Sequence, residues 1–180
     1  MTLLKHLRRF GAAKKGVAAI EFAILAPMMV FLMFASVDLL NMLETNRRVQ
    51  NVASSVADVV SRDTEISNNE INGLWSAVGI LMYPDSGATV NVRVTSVRIV
   101  SSTDARVVWS EGRGMTARTA NSQIISFLPE QMRVASTSVI IAETSYDYTT
   151  PLGFLVPGSM TMTHNAFRRS RLVDPIPRVS

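Results

Sequence analysis

From Val17 to Leu40 the chain reads VAAIEFAILAPMMVFLMFASVDLL, twenty-four residues in which Glu21 and Asp38 are the only ionisable side chains. At about 1.5 Å rise per residue, a helix of this length spans the ~30 Å hydrocarbon core of a bilayer. It is apolar on every face, which excludes the single apolar stripe of a soluble surface helix. The segment therefore predicts a membrane-spanning helix. Pro27 lies inside it and predicts a mild kink, because proline frees a carbonyl one turn earlier.

Charge placement gives the span a direction. The first sixteen residues hold Lys5, Arg8, Arg9, Lys14 and Lys15 and no acidic residue, whereas the remainder has thirteen basic and fourteen acidic side chains. The net +4 and the sequence pI near 10.0 thus belong to a basic head beside an apolar segment, not to a nucleic-acid groove. The head predicts a cytoplasmic N-terminus, with the C-terminal part across the membrane. The chain has no cysteine, so disulfide scaffolds, thiolate nucleophiles and cysteine metal sites are excluded.

A cleaved secretory signal has an apolar region of about 7–15 residues. Here Phe22 to Val37 already gives sixteen residues without a charge, and Ala35 and Val37 make only a weak cleavage site. An uncleaved signal anchor accounts for the basic head and the span but leaves Glu21 unexplained. A carboxylate inside a membrane helix is costly and marks a functional site by default, although near the interface it can snorkel. Glu21 lies four residues, about 6 Å along the axis, beyond Val17.

The residues Lys14-Lys15-Gly16-Val17-Ala18-Ala19-Ile20-Glu21-Phe22 resemble the processing site of type IV pilin-like precursors. That resemblance implies cutting by a prepilin peptidase after Gly16, with Val17 as the new N-terminus and Glu21 as the fifth mature residue. It also implies that Glu21 of one subunit neutralises the Val17 ammonium of a neighbour inside a helical bundle. Such a pair sets axial register more than it adds stability, and removing one partner leaves an uncompensated charge. With the motif NRRVQNVASSVADVVSR that follows the span, the region from Arg9 to Arg62 is similar to TadE/TadG-like pseudopilins of the bacterial tight-adherence (Tad) pilus and secretion machinery. Ile140-Ile141-Ala142-Glu143 with Tyr146, Tyr148 and Pro151 resembles the family's hydrophobic strand with spaced tyrosines. Arg168-Arg169-Ser170-Arg171 loosely resembles its basic tail.

Beyond the span, Val49, Val52, Ala53, Val56, Val59 and Val60 keep helical spacing and predict one apolar stripe packed on a distal domain. Val17 to Arg62 then forms one helix about 70 Å long. Ser67 to Glu70 is a capping box, and Ile71, Leu74, Trp75, Val78, Leu81 and Met82 predict a second helix stopped at Tyr83-Pro84. Val90, Val92 and Val94 alternate before Val97 and Ile99 change phase, which predicts a strand with a bulge near Thr95. Arg106–Ser110 reads as its partner, Gly112-Arg113-Gly114 as a loop, and Ser122–Leu128 as a short helix ended by Pro129. Val134–Tyr148 reads as the longest strand, with Ile140, Ala142, Thr144, Tyr146 and Tyr148 on one face. Met160, Met162, His164 and Ala166 mark the last strand.

The expected fold class is α+β: a long N-terminal membrane helix leading into a pilin-like domain with a small antiparallel sheet. The expected divisions are a basic leader over 1–16, cleaved, and a long helix over 17–62, with its transmembrane part 17–43 and its periplasmic stalk 44–62. A periplasmic domain over 63–173 and a loose tail over 174–180 follow.

No hydrolase, zinc-protease or nucleotide-loop motif occurs, and the only histidines are His6 and His164. The expectation is a protein that is not an enzyme and has no cofactor or metal. The Asp-x-Ser-x-Ser adhesion motif of the larger relatives is also missing. The resemblance implies as partners the inner membrane, a prepilin peptidase and other pilin or pseudopilin subunits with Tad assembly proteins. The rival reading is an uncleaved, signal-anchored periplasmic binding module. For Trp75, Trp109, Tyr146 and Tyr148, packing is the expectation.

Overall fold

A computed structural model describes residues 14–153 and 158–180; the leader's residues 1–13, with His6 and three of its five basic side chains, lie outside them. Two helices precede an antiparallel sheet: α1 (Lys14–Ser61), α2 (Asn68–Met82), β1 (Asn91–Ser101), β2 (Asp104–Arg113), β3 (Thr137–Thr149) and β4 (Ser159–Arg169). The fold class is α+β, with strand order β2-β1-β3-β4. The chain divides into two compact units, Met1–Asn41 with Thr150–Gly158, and Met42–Thr149 with Ser159–Ser180.

In the second unit, Val49, Val52, Ala53, Val56, Ala57 and Val60 of α1 are buried. Val59 is 54% exposed, contrary to the stripe expected from spacing. At about 100° per residue it sits some 80° from the stripe's centre, at its edge. Helix α2 starts where the capping box predicts: the Ser67 hydroxyl accepts from the Glu70 amide at 3.3 Å, and Glu70 Oε2 accepts from the Ser67 amide at 2.5 Å. It ends before Pro84, which cannot continue a helix. Ile71, Leu74, Val78 and Met82 point into the core, while Leu81 is partly open.

The sheet is covered on both faces. Val92, Val94, Ile140, Ala142 and Ala166 join the helical valines on one side. Val97, Ile99, Ala105, Val107, Val139 and Ile141 form a second cluster with Ile124 and Leu128 on the other. The phase change in β1 is therefore a change of buried face. Strand β1 pairs with β3 without a break from Asn91↔Ser145 to Ile99↔Thr137. The irregularity beside it lies in β2, where Ser96 pairs Trp109 and Val97 pairs Val107. Val108 is thus the bulged residue instead of Thr95, and the bulge turns Trp109 to the helical side while Ala105 and Val107 face away.

Other elements differ from expectation as well. Gly112 and Arg113 continue β2, and the chain turns only at Gly114, whose φ of 74° favours glycine. Ser122–Leu128 contains only the 3-10 turn Ile125–Phe127, followed by a second turn at Glu130–Met132. Before these turns, residues 119–124 run along the edge of β2: Val107 donates to Ser122 and accepts from Asn121, and Ile124 donates to Ala105.

The tail expected to be loose over 174–180 is docked. Ile176 is fully buried, its carbonyl accepts from Trp109 Nε1 at 2.8 Å, and Ile66 exchanges backbone hydrogen bonds with Pro177 and Val179. Ordering these residues costs conformational entropy, and a buried isoleucine returns about 1.5–3 kcal/mol against it.

Candidate functional site

The N-terminal end of α1 carries the three residues singled out in the sequence. Gly16, Val17 and Glu21 all lie on helical backbone and all are exposed. Val17 and Glu21 stand at i and i+4, one turn apart on the same face. Around them Ile20, Phe22, Ile24, Leu25 and Met28 are exposed too, so the surrounding helix contributes no apolar side chain to any core. A Cβ built on Gly16 meets nothing within 4 Å. Among the described residues, no contact therefore requires glycine at this position. The Gly16–Val17 link lies inside α1, so a protease that takes extended backbone has to unwind the first turn.

From Gly16 onward α1 contains an 18-residue window of mean hydropathy 2.3, none of it buried, and is long and apolar enough to cross a membrane. Pro27 sits within the helix. Further along, Asp38 is fully buried, and Leu152 donates its backbone amide to Asp38 Oδ1 at 3.3 Å. The sequence places Asp38 near the end of the span but gives no signal of this partner, which comes from the connection between β3 and β4.

In the second unit Asp85, just after α2, accepts from Thr45 Oγ1 at 2.9 Å and from Arg48 at 2.7 Å, and Arg48 also pairs with Glu44. Desolvation disfavours the Arg48 charge, but the Asp85 and Glu44 carboxylates outweigh it and its pKa moves up. Burial, with the Asp85 charge nearby, also pushes the Tyr146 phenol upward, against a hydrogen bond with Thr89. Asp58 faces Arg62 at 2.5 Å, Arg171 at 2.8 Å and Arg168 at 4.0 Å.

His164 Nε2 lies 2.8 Å from Asn46 Oδ1, a satisfied strand histidine. Among the described residues, no group of three or more His, Cys, Asp or Glu side chains could hold a metal ion. Trp109 and Tyr148 are buried, and Trp75 and Tyr146 pack at the core margin, as expected for packing residues.

In comparisons with known proteins, residues 16–58 match a family model described as TadE-like protein. The match begins at Gly16 and covers Val17, Glu21 and most of the valine stripe. No curated protein and no solved structure matches the chain.

Proposed function

We propose that this chain is a TadE-like pseudopilin, a non-enzymatic structural or priming component in the biogenesis of a Tad pilus. It is made as a single-pass inner-membrane precursor with its basic leader in the cytoplasm and its sheet domain in the periplasm. Prepilin peptidase removes the leader after Gly16, and α1 then carries the subunit into contact with other pilin or pseudopilin subunits. The observation that carries the reading is Glu21, an acidic side chain one turn beyond Val17 on an apolar face that is exposed among the described residues.

Two further features support it. The family match starts at the residue that would precede the cut. Gly16 answers to no contact among the described residues, as suits a residue recognised by a peptidase. After cleavage, a Glu21 carboxylate from a neighbouring subunit neutralises the Val17 ammonium where neither is well solvated.

Mass spectrometry of the mature protein from cells that contain the peptidase tests the proposal. A chain beginning at Val17 is expected, and loss of that species in Gly16→Leu with folding unchanged. A mature chain that keeps Met1, or starts elsewhere, overturns it. Glu21→Ala separates processing from pairing: cleavage persists and assembly fails. The rival reading, an uncleaved signal anchor of a binding module, takes support from the unbroken helix through Lys14–Val17 and predicts a full-length chain whether or not the peptidase is present.

A further inference from the structure

Asp38 occupies an expensive position. It lies inside the apolar run of α1, five residues or about 7.5 Å before Leu43, yet it is fully buried. Its described cover includes Leu152 of the connection from β3 to β4, whose backbone amide reaches Asp38, and Thr150–Gly158 belongs to the same compact unit as the helix up to Asn41. On α1, Phe34, Ala35, Asp38 and Asn41 are buried or half-buried, at i, i+1, i+4 and i+7, while Leu32, Met33, Val37, Leu39 and Leu40 stay exposed. One stripe of this part of the helix is thus covered and the remainder is open.

The composition of that connection is unusual for a hairpin tip. Thr150-Pro-Leu-Gly-Phe-Leu-Val-Pro-Gly158 has no charged residue, whereas connections that run over a wet surface favour polar side chains. Irregular backbone at membrane depth is tolerated only where its polar groups are satisfied inside the protein. Pro151 and Pro157 bring no N–H, and the Leu152 N–H goes to Asp38. The Leu152 side chain nevertheless remains 45% exposed.

We propose that residues 150–153, where the β3–β4 connection begins, dip into the membrane: Leu152 meets acyl chains of the leaflet on the sheet-domain side, and Asp38 is the acceptor that lets its backbone lie at that depth. The proposal rests on reading α1 as membrane-spanning. Its partner is lipid hydrocarbon, and Asp38 acts as a positioning residue.

The chain has no cysteine, so single-cysteine variants of the full protein report without background. Leu32→Cys probes the span, Leu152→Cys the loop, and Val134→Cys, at 43% exposure, gives a matched position on the sheet domain. Each is reacted with a membrane-impermeant charged maleimide in opened membrane vesicles, with SDS-denatured samples giving total labelling. Leu32→Cys and Leu152→Cys are expected to react roughly tenfold more slowly than Val134→Cys, or slower still, because a charged reagent is excluded from hydrocarbon. Leu152→Cys reacting as fast as Val134→Cys while Leu32→Cys stays protected overturns the loop's immersion alone. If Leu32→Cys is also fast, the span itself is misassigned. Adding Asp38→Ala to Leu152→Cys is expected to raise labelling several-fold, whereas Asp38→Asn, which keeps an acceptor, does not. Unchanged protection in Asp38→Ala overturns the role given to Asp38.

Discussion

Arg93 and Glu143 are direct cross-strand partners on β1 and β3 and meet side-on, Nε to Oε2 at 2.7 Å and a terminal guanidinium nitrogen to Oε1 at 2.8 Å. Arg118, whose guanidinium lies 4.9 Å from the centre of the Phe127 ring, adds a further nitrogen 2.9 Å from both oxygens. Residues 94–97 of β1 are buried on both faces, so hydrophobic alternation alone does not distinguish one strand register from the next. This pair does, because a slip by one residue would strand a buried carboxylate.

Glu143→Ala is accordingly expected to cost about 3–5 kcal/mol, since it leaves two partly buried arginines without a counter-charge. Arg93→Leu, Arg118→Leu and Glu143→Leu combined should recover much of that loss. Denaturant unfolding of the detergent-solubilised protein reads both, and a single variant with wild-type stability would refute the role given to the pair.

Docking of the C-terminal segment makes Ile176 a core residue. Ile176→Ala should cost about 2–5 kcal/mol, as for other fully buried aliphatic truncations. The Trp109 fluorescence spectrum reports whether its indole has lost the Ile176 carbonyl; a near-neutral substitution with an unchanged spectrum would contradict the docking.

Two valines three residues apart on α1 should respond differently to the same change. Val56→Thr buries a hydroxyl and is expected to cost about 1–3 kcal/mol. Val59→Thr, on exposed surface, should stay within about 0.5 kcal/mol of wild type. Equal costs by thermal or chemical unfolding would show that α1 is rotated from the orientation described above.

The α2 cap gives a pH dependence with a definite sign. The Glu70 carboxylate lies below its ordinary value of 4.5 because the Ser67 amide and hydroxyl hydrogen-bond to it, with a smaller contribution from the Arg178 charge. Since its folded pKa is depressed, its stabilisation is fully present above the unfolded value and fades as pH falls through the folded one. Wild type should therefore lead Glu70→Gln at neutral pH and lose that lead in acid. A gap that does not narrow below pH 4.5 would count against this cap.

Much of this architecture is legible in the residues because the features are local. The capping box at Ser67–Glu70, the stop at Pro84 and the alternation of Met160, Met162, His164 and Ala166 in β4 each act within a few residues. What escapes is set by distant partners. The second buried face is visible only once Ile124 and Leu128, on irregular chain, are known to lie under Val97 and Ile141. The proline-bearing tail reads as loose because its partners, Ile66 and Trp109, lie far away in sequence. At the candidate site, Gly16, Val17 and Glu21 can be read at once from spacing, whereas the cover over Asp38 depends on a hairpin more than a hundred residues later.

The burial of Ile176 also governs the timetable of folding. Val49 on α1 is among the first core residues to be synthesised, and Ile176 completes the same cluster at the far end of the sequence. So wide a separation slows closure and keeps the early valines unsheltered meanwhile. The helical valines of the sheet domain thus meet their last core partner only once Ile176 has been made.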